Sequence, residues 1–242
     1  MTKHLRILFV ACVLISSAPL LYAQNPLSQL GNLGKQENAG LPSSTIASGL
    51  KQALSVGTQN AVKLVDKPGG YLDNAAIKIL LPKNLRPAEG VLRSAGQGAR
   101  IDSFVASMNH AAESAAPAAE KIFADAVSAM TIDDARRLLD GGDTSITTYF
   151  KQKTSAELAT AFRPAVEKAM NGNDVTQQYQ ALAGKAPQLP FMKPQSLDIT
   201  TYVVDQALNG LFYMLGQQEK DIRHNPAARS TGLLKEVFGG KG

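Results

Sequence analysis

The sequence predicts an all-α protein, a single bundle of about eight helices with one short extended or loop segment near residues 71–84. Three observations carry this expectation. Apolar residues recur with a period near 3.6 almost everywhere from Ser43 onward. Helix starts and stops are marked by capping residues and by proline–glycine pairs. No set of alternating runs exists from which a sheet could be built.

The chain opens with Lys3, His4 and Arg6, then the apolar run Ile7 to Ile15, then Ser16-Ser17-Ala18-Pro19 and Leu20-Leu21-Tyr22-Ala23. A positive start, a short apolar run and a small residue at the cut are the pattern of a secretory signal peptide over residues 1–23. Cleavage is expected after Ala23, because a cut after Ala18 would leave Pro19 first. The apolar run is too short for a membrane span, which needs about twenty residues. The mature protein is therefore expected in the periplasm. Residues 24–42 are rich in Gln, Asn and Gly with little to bury, and are read as a flexible leader. Residues 43–240 are read as one helical domain.

The first helix is expected to start at Ser43 or Ser44 as N-cap and to face the core with Ile46, Leu50, Ala53, Leu54, Gly57, Ala61 and Leu64. Lys67-Pro68-Gly69-Gly70 stops it, since proline cannot continue the ladder and glycine frees the turn. In the segment 71–84, Ile77-Lys78-Ile79 alternates and Pro82 closes the run. A small helix from about Leu85 to Ala95 ends at Gly96-Gln97-Gly98. Two apolar runs follow, one through Ile101, Phe104, Val105 and Met108, the other through Ile122, Phe123, Ala126, Val127 and Met130. Pro117 divides them, as a kink or a new start.

The later starts carry capping boxes at Thr131 to Asp134 and Thr154 to Glu157, with a weaker one at Asp174 to Gln177. Asn225-Pro226 places a capping side chain before a first-turn proline. The longest helix is expected over Ile199 to His224, facing the core with Val203, Val204, Ala207, Leu208, Leu211, Phe212 and Leu215.

Composition narrows the chemistry. The expected signal peptide, residues 1–23, holds two of the 25 basic and none of the 20 acidic residues, so the mature chain has 23 against 20, a net charge of +3. That is too small to argue for nucleic acid. Residues 78–100, however, carry Lys78, Lys83, Arg86, Arg93 and Arg100 against Glu89, while residues 102–143 carry eight acids against three bases. The asymmetry suits either solvated helix faces or steering of a charged partner, including peripheral contact with an anionic membrane surface. The single cysteine, Cys12, lies in the expected signal peptide, so the mature chain has no disulfide, thiolate or cysteine metal ligand.

The motifs are weak. Ser48-Gly-Leu-Lys51, Ser107-Met-Asn109 and Lys153-Thr154-Ser155 echo the three motifs of penicillin-binding enzymes, yet the serine and lysine content makes about one S-x-x-K match expected by chance. The third motif lacks its glycine and needs an edge strand that this sequence cannot supply. Only His110 and His224 survive processing, without the spacing of a zinc site. His224 at a helix end suits the helix dipole. Asp140-Gly141-Gly142-Asp143 reads as a helix stop, with Asp143 or Thr144 capping the next helix, and lacks the ligand count of a calcium loop. Asp133-Asp134 lies at a helix start, where the dipole favours acids. Tryptophan is absent, which weakens any sugar-stacking proposal.

Taken together, Lys67-Pro-Gly-Gly-Tyr71, Gly141-Gly-Asp-Thr144, Ala161-Phe-Arg-Pro164, Gly210-Leu-Phe-Tyr-Met214 and Asn225-Pro-Ala-Ala-Arg229 resemble a bacterial family of exported proteins, the domain of unknown function numbered 4197. The resemblance spans about Leu41 to Gly239. It implies one continuous domain in an envelope setting and supplies no reaction, ligand or catalytic residue.

Tyr71 beside the glycine turn and Arg163 before Pro164 are candidate ligand-binding residues, because polar side chains at helix breaks often line clefts. Asp143 and Arg229 complete the set. No catalytic residue, metal ligand or cofactor is assigned. The expectation is a non-enzymatic binding or interaction protein of the cell envelope, with an unidentified envelope protein or small ligand as partner. Its rival is a periplasmic hydrolase using a buried carboxylate pair, for which Asp143 would need a second acid beside it in a pocket.

Overall fold

The structure, a computed structural model, describes residues 42–83, 85–172 and 198–239. The expected signal peptide, the expected leader up to its last residue and the capping pattern expected at Asp174 to Gln177 lie outside the described residues. The described residues form one compact unit. Among the described residues eight α-helices follow in order: α1 Ser43–Val65, α2 Arg86–Leu92, α3 Gly98–Ala115, α4 Ala119–Ala129, α5 Ile132–Asp140, α6 Ser145–Gly172, α7 Ile199–His224 and α8 Gly232–Gly239. No strand occurs among these residues, and no helix is long and apolar enough to cross a membrane.

The core is organised around α7, which packs against α6, α1, α3 and α8. All seven core positions expected on it are buried. Phe123 of α4 meets Phe150 of α6 edge-on at 5.3 Å and Phe212 of α7 at 6.2 Å. One aromatic cluster thus fastens three helices at the offset geometry rings prefer. On α1 the buried stripe sits partly one residue later than expected. Ala47 and Val65 are buried, whereas Ile46 and Leu64 lie half-buried at its edge.

The segment between α1 and α2 has no regular hydrogen-bonding pattern, yet its side chains alternate as in a strand. Ile77, Ile79 and Leu81 are buried, while Lys78 and Leu80 face out. A side chain stands in for the missing neighbouring strand. Asn109 of α3 accepts from the Ile79 amide at 2.8 Å and donates to the Ile79 carbonyl at 2.9 Å, so both backbone groups are satisfied.

Several local expectations hold. Thr131 and Asp134 form a full capping box at α5. Pro117 lies in a single 3₁₀ turn, Ala116–Ala118, that separates α3 from α4. The Asn225 side chain accepts from the Ala227 amide ahead of a 3₁₀ turn, Pro226–Ala228.

Others are corrected. α1 has Pro42 at its cap position with no side-chain cap bond, in place of Ser43 or Ser44. The helix expected over 85–95 stops at Leu92, and a wide turn at Arg93–Gln97 with Gly96 at φ 77° joins it to α3. The capping box expected at Thr154 does not form. Thr154 is buried inside the unbroken α6, where its hydroxyl donates to the Phe150 carbonyl at 2.7 Å. A threonine in mid-helix satisfies itself on the preceding turn just as readily as it caps. Pro164 likewise sits within α6 rather than at a break, so Arg163 is not beside one. With 28 residues α6 is longer than the 26-residue α7, which was expected to be the longest.

Candidate functional site

The glycine turn after α1 is built inward. Gly69 has φ 79°, a conformation open to residues without Cβ. A Cβ on Gly70 would stand 2.6 Å from the Val65 carbonyl oxygen, so the chain turns tightly against α1. Tyr71 is thereby driven into the core and fully buried. Its hydroxyl donates to the Ala207 carbonyl at 2.7 Å, and its ring lies so close to α7 that a Cβ on Gly210 would stand 2.5 Å from it. Burial pushes the phenol well above its ordinary pKa, and the nearby Glu113 carboxylate adds to the shift. Glu113 is buried on α3 and accepts from the Tyr71 and Leu72 amides at 3.1 and 3.2 Å. Its other oxygen faces His110 Nδ1 at 2.9 Å.

A second buried acid organises the Gly141-Gly142 turn. Glu219 of α7 accepts from the Ile146 and Thr147 amides at 3.0 and 2.9 Å and from the Thr147 hydroxyl at 2.8 Å. It thus caps α6 from across the core, a role expected of Asp143 or Thr144. One helical turn along, Arg223 pairs with Glu219 at 3.1 Å and donates to the Leu138 and Leu139 carbonyls at the end of α5. The anion meets the positive end of α6 and the cation the negative end of α5, each placed as the helix dipole favours. Asp143 remains at the surface, paired with His224 Nε2 at 2.7 Å in the last turn of α7.

Arg229 closes the same end of α7 by donating to the carbonyls of Ile222 and Arg223 at 3.0 and 2.8 Å. Arg163 bridges α6 to the start of α7, donating to the Thr201 hydroxyl at 2.8 Å. Asp198, the N-cap of α7, is held below the ordinary carboxylate pKa chiefly by the Thr201 hydroxyl. The four candidates therefore do not converge. Their anchors run along α7 from Thr201 to His224, and a helix rising about 1.5 Å per residue separates those ends by roughly 35 Å. Asp143 has a histidine rather than a second acid beside it, so the feature that would favour the hydrolase reading is not what surrounds it.

Reasoning from sequence missed Glu113, Glu219 and Arg223. A usable signal was present: Glu219 follows Leu215 and precedes Ile222 on the apolar stripe of α7, and an acid there must be buried or break the stripe. Nothing local identifies its partners.

Two open clefts of similar size lie among the described residues. One, of about 360 Å³, lies between α5 and α6 and is lined by Asp134, Arg137, Leu138, Ser145, Thr148, Tyr149, Gln152 and Lys153. Asp134 is already committed to the Thr131 cap and to Arg137. The other, of about 350 Å³, lies beneath α2. Lys78, Leu80 and Leu81 of the extended segment form one wall, Arg86, Glu89 and Arg93 of α2 and the following turn a second, and Asp102 and Val105 of α3 the third. Arg93 donates to Glu89 at 3.0 Å and to Asp102 at 2.7 Å. That bond, with a smaller contribution from Lys78, holds Asp102 below its ordinary pKa. Arg86 Nε donates to the Leu81 carbonyl, and Lys78 makes no ion pair among the described residues. Both clefts fall within the usual size range for small-ligand sites. No group of three or more His, Cys, Asp or Glu side chains able to hold a metal occurs among the described residues.

A family model described as "Protein of unknown function (DUF4197)" matches residues 40–239. No curated protein and no solved structure matches the chain.

Proposed function

The chain belongs to the DUF4197 family, and from that premise we propose that it is an exported cell-envelope protein that works by binding, with the cleft beneath α2 as its site. The cleft carries the reading. It is sized for a small ligand, and three cations, two carboxylates and three apolar side chains line it. Six of its eight lining residues also come from the basic stretch 78–100. The charged start and apolar run of residues 1–23 support export to the periplasm.

The two buried glutamates are used by the fold. Glu219 holds a backbone amide with each oxygen, and Glu113 holds two with Oε1 while its Oε2 faces His110, an arrangement that supports binding over catalysis because the carboxylates are tied to backbone donors. Native mass spectrometry of the protein purified from its own envelope fraction tests the reading, with Leu80→Asp measured beside it. Leu80 is 48% exposed in the cleft, so the substitution leaves the core untouched. A retained mass that disappears in the variant is the expected result. A bare chain, or a mass indifferent to Leu80, would overturn the proposal.

A further inference from the structure

We propose that the cleft beneath α2 takes an anionic amphiphile, a molecule with a phosphate or carboxylate head and an apolar chain, and that α2 is a flap over it latched by Arg93. This rests on the binding reading above. Glu89 and Asp102 are both taken by Arg93, whereas Lys78 has no carboxylate within ion-pair distance among the described residues. Arg86 also lacks a carboxylate partner there; it donates through Nε to the Leu81 carbonyl and meets the Tyr202 hydroxyl, both neutral groups that leave its charge uncompensated. Three cations face two carboxylates, and the uncompensated charge is positive. A phosphate or carboxylate head fits that balance, and a guanidinium can bind either with two parallel hydrogen bonds.

The apolar part follows from Leu80, Leu81 and Val105 on the same walls. Leu80 is one of only four large apolar side chains exposed among the described residues, although its neighbours Ile79 and Leu81 are buried. Its exposure is set by the alternation of the extended segment, which Asn109 fixes from α3. The sequence therefore holds an apolar side chain in solvent at the mouth of a cationic cleft.

The flap follows from how little holds α2. Within 86–97 Leu92 is the one buried side chain among those described. Gly96, at φ 77° with open space where a Cβ would lie, forms the turn that joins it to α3. Arg93 on one side of this turn reaches Asp102 on the other. A segment with so few buried contacts belongs to the part of a fold that opens at low cost. A ligand head that takes Arg93 from Asp102 exchanges one anion for another, and no proton or covalent bond need change.

The full chain, expressed with its leader and purified from the envelope, is titrated calorimetrically with decyl phosphate, decanol and inorganic phosphate. Decyl phosphate is expected to bind at least about tenfold more tightly than either of the others. Lys78→Ala should bring it close to decanol, and Leu80→Asp should weaken it by about tenfold or more, with unchanged circular dichroism in both. Asp102→Asn, which frees Arg93 and leaves a polar side chain of similar size, should strengthen it.

Equal binding of decyl phosphate and decanol, or indifference to Lys78 and Leu80, would overturn the inference. Flotation with phosphatidylglycerol vesicles then separates the sources. Salt-sensitive co-flotation identifies a bilayer headgroup, and binding of dissolved decyl phosphate without flotation identifies a single carried molecule. A Leu80-dependent mass from the envelope combined with no decyl phosphate binding would end this inference and leave the binding proposal standing.

Discussion

Replacing Glu219 by alanine tests whether the core is organised by one buried ion pair that caps two helices. Glu219 is 4% exposed, and its removal strands the Ile146 and Thr147 amides and leaves Arg223 without its counter-charge, held only by the Leu138 and Leu139 carbonyls and the Ser145 hydroxyl. Each buried donor left without a partner costs about 1–3 kcal/mol, and breaking a buried charge pair from one side costs about 3–5 kcal/mol. These costs overlap, because water admitted by the truncation solvates part of the same set. A loss of about 3–5 kcal/mol is therefore expected, equivalent to roughly 6–20 °C in Tm for a domain of this size.

Urea and thermal unfolding followed by far-ultraviolet circular dichroism would measure it. Glu219→Gln should lose less, since the amide oxygen still accepts one backbone N–H. In a double-mutant cycle with Arg223→Ala, the two losses should couple by about 1–3 kcal/mol. A loss below about 1 kcal/mol for Glu219→Ala, or simple additivity with Arg223→Ala, would refute this account of the α5–α6 turn.

Other perturbations probe separate parts of the structure. Gly210→Ala should destabilise by about 1–3 kcal/mol through overpacking, since its Cβ would meet the Tyr71 ring at 2.5 Å, and urea unfolding measures it. Thr154→Val should change stability by less than about 1 kcal/mol, because the hydroxyl bonds only to its own helix; a loss near 2 kcal/mol in the same assay would restore a capping role. The Arg93–Asp102 latch should depend on pH in one direction. Asp102 is held below its ordinary value of 3.8, so the latch is intact above about pH 4 and is lost as pH falls through the lower folded value. Protection factors for amide exchange in α2 should accordingly fall in acid, and Asp102→Asn should lower them already at neutral pH. No change in α2 under either condition would show that Arg93 does not hold it.

The local grammar of this chain was legible because it is written within a few residues. The Thr131–Asp134 box, the stop at Lys67 to Gly70, the division at Pro117 and the limits of α7 all depend on hydrogen bonds and sterics spanning a turn or two. The seven core positions of α7 were readable for the same reason, since helical period alone decides which residues share a face.

Thr154 and Pro164 mark where that grammar stopped deciding. A Thr-x-x-Glu pattern and an interior proline are compatible with a helix start, but the buried stripe through Phe150, Leu158, Phe162 and Val166 packs one continuous helix, and its burial outweighs both local preferences. The remaining roles belong to tertiary structure alone. Glu219 finds the start of α6 73 residues back along the chain, and Tyr71 finds Ala207 136 residues ahead. The cleft beneath α2 exists because three separate segments, each ordinary by itself, are brought to face one another. Sequence determined which residues form helices and which faces seek the core, because those energies are local. Which buried charge meets which helix end, and where a cleft is left open, depends on the packing of segments far apart in the chain, and packing is a property of the whole fold.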